Sequence, residues 1–194
     1  HKKVNFGKNS IFPISLSHSV PDNVGYVLYT PDGAIFYTGN FVFDPTLIGA
    51  YKTDIGKLAY VGKQGVLCLL SESLYADRPG FTSPKHRIAK FMNEAFNKCH
   101  GRIICNVSSS GLTRIQEIFT EVSKTDRQVV ILGKRLESTI MKAIHLKMID
   151  FDKKRIANIH QASEPNSFIL VADEREKPYS NIERIVKGYD RFVK

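Results

Sequence analysis

Two short segments in the first quarter of the chain carry residues that could bind a metal ion. Residues 18–22 read HSVPD and residues 36–41 read FYTGNF, at a spacing typical of a two-metal hydrolase. Imidazole suits zinc, so His18 is a candidate ligand. A position that bridges two cations calls for a carboxylate, but Asn40 offers only a neutral amide oxygen. The pattern is that of a hydrolase that lacks a charge on which hydrolysis would depend.

A second reading of His18 stays open, since a lone histidine is more often a hydrogen-bonded structural residue. The presence of the Thr38-Gly39-x-Phe41 segment in the same chain favours metal binding by His18. Glu72 directly follows an apolar run and is a candidate general-acid component. Its alternative role is a solvated loop carboxylate that accepts hydrogen bonds from the backbone of the turn at residues 71–76.

Three further groups could contact phosphate. The serines at 108–110 precede a predicted helix, where hydroxyl and free N–H groups favour anions, and Arg114 lies one turn later. Ser110 is also expected to be the helix N-cap, which would need no ligand. Arg78-Pro79-Gly80-Phe81 is basic, rigid and aromatic and suits a nucleotide strand, or is only a turn. Three basic groups could line a channel, and each taken singly is expected to form a solvated face: Lys134-Arg135, Lys153-Lys154-Arg155, and the pair Arg184 and Lys187.

The elements that must position these residues follow two patterns. The first part is rich in short strands with a hairpin turn at Asp32-Gly33 and a helix over 53–64. The second part alternates strands with helices, which predicts βαβ units and a mainly parallel sheet. The expected strands are 4–6, 11–17, 24–29, 34–38, 66–70, 102–107, 129–132 and 168–171, and the later helices are 84–98, 111–124, 135–147 and 179–187. The uninterrupted apolar run at 66–70 predicts a strand covered on both faces.

Charge and cysteine usage narrow the class of protein. The chain has 28 Lys and Arg against 19 Asp and Glu, a net charge of +9, which favours a polyanionic partner, with nucleic acid first. A generally basic surface is the alternative. No apolar run approaches the roughly 18 residues of a membrane span, so no membrane is expected. Cys68, Cys99 and Cys105 form no CxxC pair and are expected to be buried reduced thiols in a cytoplasmic protein.

Four motifs together resemble the ribonuclease J family, nucleases of the metallo-β-lactamase fold that carry an inserted β-CASP domain. The family reads approximately HSIPDSVG, TGDFKFD, SDSTNAERPG and ATFASNxxRIQ. This chain reads HSVPDNVG at 18–25, TGNFVFD at 38–44, SESLYADRPG at 71–80 and SSSGLTRIQ at 108–116. A fifth motif, TGSQGEPxSA, survives only loosely at residues 172–180.

The resemblance implies an α/β fold in two parts. Residues 1–64 would be part of a metallo-β-lactamase αββα domain, and residues 65–194 a β-CASP domain whose mainly parallel sheet is flanked by helices. In the family, a two-zinc centre activates water for attack on an RNA phosphodiester during RNA processing and mRNA decay. His18 matches a zinc ligand, Asn40 the bridging aspartate, and Glu72 an acidic residue that assists leaving-group protonation. Ser110, Arg114 and Arg78 would face RNA.

The departures from the family pattern favour a degenerate paralogue. Asn40, Gly111, Thr113 and the acidic stretch at 173–176 replace residues of the functional loops, and the HxHxDH ligand motif does not occur in the sequence. The expected role is a weakly active or inactive subunit that pairs with an active ribonuclease J as a homo- or hetero-oligomer. The alternatives are an active 5′–3′ exo- or endoribonuclease with metal ligands outside these residues, and a non-enzymatic RNA- or nucleotide-binding α/β module. The chain is expected to be a piece of a longer protein.

Overall fold

The described residues up to Gly80 contain a mixed sheet and an α-helix that packs against it. A computed structural model describes residues 2–44, 47, 49–74, 76–80, 88–172, 177 and 179–193. The strands are β1 (Val4–Phe6), β2 (Asn9–Ser15), β3 (Val24–Thr30), β4 (Gly33–Gly39) and β5 (Cys68–Ser71). They pair in this order, β1 to β4 antiparallel and β5 parallel to β4.

The hairpin between β3 and β4 fixes the register of this sheet. Thr30 pairs with Gly33 across a two-residue turn, and the Thr30 hydroxyl accepts from Asp32 N–H and donates to Gly33 C=O. Gly33 has a φ of 145°, which glycine adopts without strain. The predicted hairpin is therefore confirmed, but its central residues are Pro31 and Asp32, one position earlier than the expected Asp32-Gly33.

One face of the sheet packs on helix α1 (Ile55–Gln64). Asp54 caps this helix, because its carboxylate accepts from the N–H of Lys57 at 3.0 Å. Alternate strand residues reach the helix and form the first core, which consists of Ile14, Leu16, Val27, Ala34, Phe36 and Val61. The predicted helix over 53–64 is confirmed to within two residues.

The environment of β5 differs from the sequence prediction. The run at 66–70 was expected to be covered on both faces, but all four residues of β5 are exposed, including Leu69 and Leu70. The reason is its place at the sheet edge, where it pairs with β4. Cys68 is consequently exposed, and Cys99 and Cys105 are half-buried, so the prediction of three buried thiols is wrong.

The division of the chain lies later than the boundary expected between residues 64 and 65. The two compact units are His1–His86 and Arg87–Lys194. The parallel pairing of Gly39 with Ser71 at the end of β5 ties this segment to the first sheet. The helix expected over 84–98 is described from Ala89 to Lys98, and its Ser83-Pro84 start lies outside the described residues.

The second unit contains a four-stranded parallel sheet covered by helices. Its strands are β6 (Ile103–Val107), β7 (Gln128–Leu132), β8 (Ile156–Ala157) and β9 (Ser167–Ala172), in the order β6-β9-β7-β8. The helices are α2 (Ala89–Lys98), α3 (Leu112–Val122), α4 (Lys134–His145) and α5 (Ser180–Val186). Short 3-10 helices at Lys153–Arg155 and Ile159–Ser163 flank β8. None of the described helices could cross a lipid bilayer.

Strand alternation divides the core of this unit into two layers. Val129, Ile131, Phe168 and Leu170 point to the layer that holds α2, α3 and α4, where Phe119 and Ile140 are fully buried. The next residues of the same strands point to the opposite layer, which includes Ile185 of α5 and Val193. Burial on both faces explains why β7 and β9 are continuous apolar runs.

Two arginines close the amino-terminal edge of the parallel sheet. The guanidinium of Arg127 donates to Gly101 C=O at 2.8 Å and Cys99 C=O at 2.6 Å. Arg155 donates to the carbonyl oxygens of Thr125 and Arg127. Arg155 is therefore a structural residue, and the expectation of a solvated basic face at 153–155 holds only for its exposed neighbours Lys153 and Lys154.

Asp190 fastens the segment that follows α5. Its carboxylate is 6% exposed, accepts from the N–H groups of Phe192 and Val193 at 2.9 and 3.0 Å, and pairs with Arg184 at 2.9 Å. Burial by itself opposes ionisation, but these hydrogen bonds and the nearby guanidinium outweigh it and lower the pKa of Asp190 below its ordinary 3.8. The tail is thereby held against the second core layer.

Asp190→Asn should destabilise the protein at neutral pH by about 1–3 kcal/mol, because it removes the charged partner of Arg184. A carboxyl group whose folded pKa is lowered stabilises the fold above its unfolded pKa, and that contribution is lost as the pH falls through the folded value. Urea denaturation should therefore show a difference between wild type and Asp190→Asn at pH 7 that shrinks below about pH 4. The exposed Glu164→Gln is the control, and an equal loss in both variants would contradict the prediction.

Candidate functional site

The parallel pairing of β4 and β5 brings Asn40 and Glu72 to the same sheet edge. Gly39 pairs with Ser71, so the residue after each strand end lies beside the other. The backbone N–H of Glu72 contacts the hydroxyl of Thr38 at 3.4 Å. Gly39 has a φ of 59°, a left-handed turn that directs the chain out of β4 just before Asn40.

The loop that carries His18 is hydrogen-bonded to the same edge. The side-chain amide of Asn23 donates to the carbonyl oxygens of Leu16 at 3.3 Å and Asn40 at 2.9 Å. The N–H of Val42 donates to Ser17 C=O at 2.8 Å. Asn23 therefore joins the strand ends of β2 and β4, and the predicted residues His18, Asn40 and Glu72 belong to neighbouring loops of one edge.

Their donor set does not complete a two-zinc site. An imidazole, a neutral amide and one carboxylate supply a single negative charge, whereas two bridged dications need an anionic bridge. Over the residues that the structure describes, no cluster of three His, Cys, Asp or Glu side chains could hold a metal ion. His18 instead has its Nδ1 atom 3.2 Å from the hydroxyl of Ser19. The residues of this edge, taken alone, do not fit the metal centre implied by the resemblance.

The serine loop of the second unit lies at the carboxyl end of β6. The N–H of Gly111 donates to Ser108 C=O at 2.9 Å, and Gly111, not Ser110, is the N-cap of α3, without a side-chain capping bond. The prediction that Ser110 caps the helix is wrong, because this turn delays the helix start by one residue. The hydroxyl of Ser110 instead lies 3.0 Å from that of Ser108 and is exposed.

The two predicted arginines differ in their contacts. Arg114 donates to the carboxylate of Glu117 at 2.6 Å, on the same face of α3. A phosphate would have to compete with that carboxylate for the guanidinium. Arg78 is exposed in the first unit, and its aromatic neighbour Phe81 lies outside the described residues. The acidic stretch at 173–176 also lies outside them.

A cleft that the sequence did not reveal opens at the carboxyl edge of the parallel sheet. It has about 780 Å³ of open space beyond the last residues of β7, β8 and β9. We call it the carboxyl-edge cleft, and its polar and aromatic side chains are Lys134, Glu137, Asn158, Asn181, Arg184, Tyr189, Asp190, Arg191 and Phe192. In parallel sheets of this kind, ligands bind among the loops beyond the carboxyl ends of the strands. No sequence signal placed the tail at 189–192 against them.

Comparison with known proteins gives a family for part of the chain. Residues 100–194 match the family described as ribonuclease J, beta-CASP domain. The chain is 37% identical over 158 residues to "Ribonuclease J 2" of Staphylococcus aureus (strain NCTC 8325 / PS 47), which covers 80% of this chain and 28% of that protein. It is 35% identical over 168 residues to "Ribonuclease J 2" of Staphylococcus saprophyticus, covering 86% of this chain and 30% of that protein.

The structural comparison agrees with the fold. A crystal structure of an Enterococcus faecalis V583 protein of unknown function superimposes with a TM-score of 0.60 at 12% identity, covering 90% of this chain and 44% of that one. At this identity the likeness concerns the fold alone. The chain spans less than a third of the length of the curated relatives quoted above.

Proposed function

We propose that the chain belongs to the ribonuclease J family and is part of a zinc-dependent phosphodiesterase scaffold with an eroded metal site. Residues up to His86 would belong to a metallo-β-lactamase domain, and the second unit is the β-CASP region. The full-length protein would bind RNA and serve RNA processing and mRNA decay as a weakly active or inactive subunit beside an active ribonuclease J.

The observation that carries this proposal is the edge formed by β4 and β5. The pairing of Gly39 with Ser71 keeps the strand geometry, and Glu72 keeps its acidity, while the neighbouring position holds the neutral Asn40. Without an anionic bridge, the repulsion between two dications a few ångströms apart is not screened. The paired strand ends and the carboxylate of Glu72 thus support a retained scaffold, and the neutral amide of Asn40 supports the loss of metal binding.

Metal content is the direct test. Full-length protein, purified without chelators, should hold clearly less than two zinc ions per chain when measured by elemental analysis. Two tightly held ions would overturn the eroded-site proposal and favour the second candidate, an active ribonuclease whose further ligands lie outside these residues. The HxHxDH motif that the family carries is the segment to look for in the full-length sequence.

The affinity of the protein for RNA should fall steeply as the salt concentration rises. Arg78 and Ser110 are exposed, and the net charge of +9 favours a polyanion. Each phosphate contact to a single strand contributes a slope of about −0.7 in log affinity against log salt concentration. Titration of 5′-monophosphorylated RNA at several salt concentrations should give a slope of about −2 or steeper. An affinity that does not change with salt would contradict RNA binding through phosphate contacts.

A subunit role predicts association with a second chain. Co-purification of the full-length protein with an active ribonuclease J, followed by measurement of the mass of the complex, tests that part of the proposal separately. A monomer that neither self-associates nor binds such an enzyme would contradict the partnership while leaving the metal prediction intact.

A further inference from the structure

The carboxyl-edge cleft has the place and size of a ligand site. Leu132, Ala157 and Ala172, at the ends of β7, β8 and β9, form its floor. Ligands of open α/β sheets bind beyond the carboxyl ends of the strands, where the connecting loops diverge. Its volume of about 780 Å³ lies within the range of small-molecule sites and is enough for a nucleotide.

The charge of the cleft favours one negative group. Arg184 and Asp190 neutralise each other through their 2.9 Å ion pair. Lys134 and Arg191 are exposed, and the described part of the chain contains no ion-pair partner for either. Glu137 subtracts one charge, so the described side chains that line the cleft carry a net charge of +1. A phosphodiester carries a charge of −1, whereas a terminal phosphate carries nearly −2 at neutral pH.

An aromatic side chain supplies the second element of nucleotide recognition. Tyr189 lines the cleft and is 77% exposed. The next residue, Asp190, is buried and holds the backbone of this segment in place. The Asp190 carboxylate accepts hydrogen bonds from Arg184 and from two backbone N–H groups. These bonds hold the segment that carries Tyr189 and Arg191. An aromatic ring held at the rim of a basic cleft suits the stacking of a base of single-stranded nucleic acid.

We infer that the carboxyl-edge cleft binds one internal nucleotide of a single-stranded RNA, with its phosphodiester at Lys134 and Arg191 and its base on Tyr189. This contact is separate from the loops at Ser110 and Arg78, and it rests on the proposed function only for the choice of RNA as the ligand. It would give the second unit an RNA contact that does not require a metal.

Charge removal tests the phosphate contact. The full chain is titrated with a fluorescent single-stranded decauridylate at moderate salt. K134Q/R191Q should weaken binding about tenfold and reduce the salt slope by about 1. The matched control is K153Q/K154Q, which removes two exposed lysines that precede β8 at the opposite edge of the sheet, and it should change affinity less than about threefold. Equal losses in the two double variants would overturn the inference.

Ring removal and crosslinking test the base contact. Tyr189→Ala should weaken decauridylate binding about tenfold, whereas Tyr189→Phe should retain the wild-type affinity, because stacking needs only the ring. A decauridylate that contains 4-thiouridine should crosslink to the peptide with Tyr189. Wild-type affinity in Tyr189→Ala, or crosslinks confined to other peptides, would overturn the inference. Displacement by an equal concentration of uridine 5′-monophosphate would identify a free nucleotide as the ligand and overturn the RNA assignment.

The outcome separates this inference from the proposed function. If Arg78→Gln and Ser110→Ala weaken decauridylate binding but the cleft variants do not, the cleft inference fails and the proposed function stands. If the wild-type chain does not bind decauridylate, the cleft inference and the RNA-binding part of the proposed function both fail. Circular dichroism of each variant shows that a loss of affinity is not a loss of folding.

Discussion

Replacing Phe168 with alanine should destabilise the second unit by about 3–5 kcal/mol, a large share of the 5–15 kcal/mol that stabilises a typical domain. Phe168 is fully buried on β9, and its ring packs edge-on against Phe96 at a centroid distance of 5.9 Å. The strand lies between β6 and β7, so its neighbours cannot close over the cavity without shifting the sheet. The loss of stability would therefore include both the transfer free energy of the removed ring and the cost of the cavity that it leaves.

The measurement is urea denaturation of the full chain, followed by circular dichroism. Phe91→Ala is the matched control, since Phe91 lies on α2 in the same unit and is 64% exposed. Its removal should change the free energy of unfolding by less than about 0.5 kcal/mol. Similar losses for the two variants would show that Phe168 does not belong to a tightly packed core.

Asn40→Asp should raise the zinc affinity of the full-length protein by about a hundredfold or more. Two opposite unit charges 4 Å apart attract by about 4 kcal/mol at an effective dielectric constant of 20, and the new carboxylate would face dications. Part of that gain is offset by desolvation of the carboxylate. Asn23 already fixes the backbone of residue 40 through its 2.9 Å bond to the carbonyl oxygen, so the new side chain needs no rearrangement of the loop.

Competition with a chromophoric zinc chelator measures the affinity, and decay of 5′-monophosphorylated RNA measures activity. Asn5→Asp adds the same charge on exposed β1 in the same unit and should leave both unchanged. A gain in zinc affinity with a gain in RNA decay would show that Asn40 limits the enzyme. Unchanged zinc affinity would contradict the assignment of Asn40 to the bridging position.

The helices and longer strands of both units could be predicted from the sequence. Burial leaves a pattern in the local sequence that can be recognised. Examples are the helical spacing of Leu112, Ile115 and Phe119 and the continuous apolar runs of β7 and β9. The two residues of β8 are too few to produce a period, and that strand was missed. The run at 66–70 has the composition of a covered strand, but composition does not show that β5 lies at an edge.

The candidate site was predicted only as far as motif and strand order allow. His18, Asn40 and Glu72 were predicted from the motifs that contain them, and the pairing of Gly39 with Ser71 brings the last two to one sheet edge. The capping role of Ser110 failed, since the choice between Ser110 and Gly111 depends on the turn that Ser108 closes. The carboxyl-edge cleft depends on the ion pair between Arg184 and Asp190, and nothing in the spacing of these residues shows where the tail packs.

The strand order β6-β9-β7-β8 also has a consequence for biosynthesis. β9 is synthesised after β6, β7 and β8, yet it lies between β6 and β7 in the sheet, and β6 pairs with it. At 5–20 residues per second, the ribosome needs about 3–12 s to proceed from Val107 to Ser167. During this interval β6 cannot pair with β9, so its apolar residues lack their partner strand. The hairpins of the first sheet need only local contacts and can already form. Nascent chains in this interval are therefore the species that should need a chaperone.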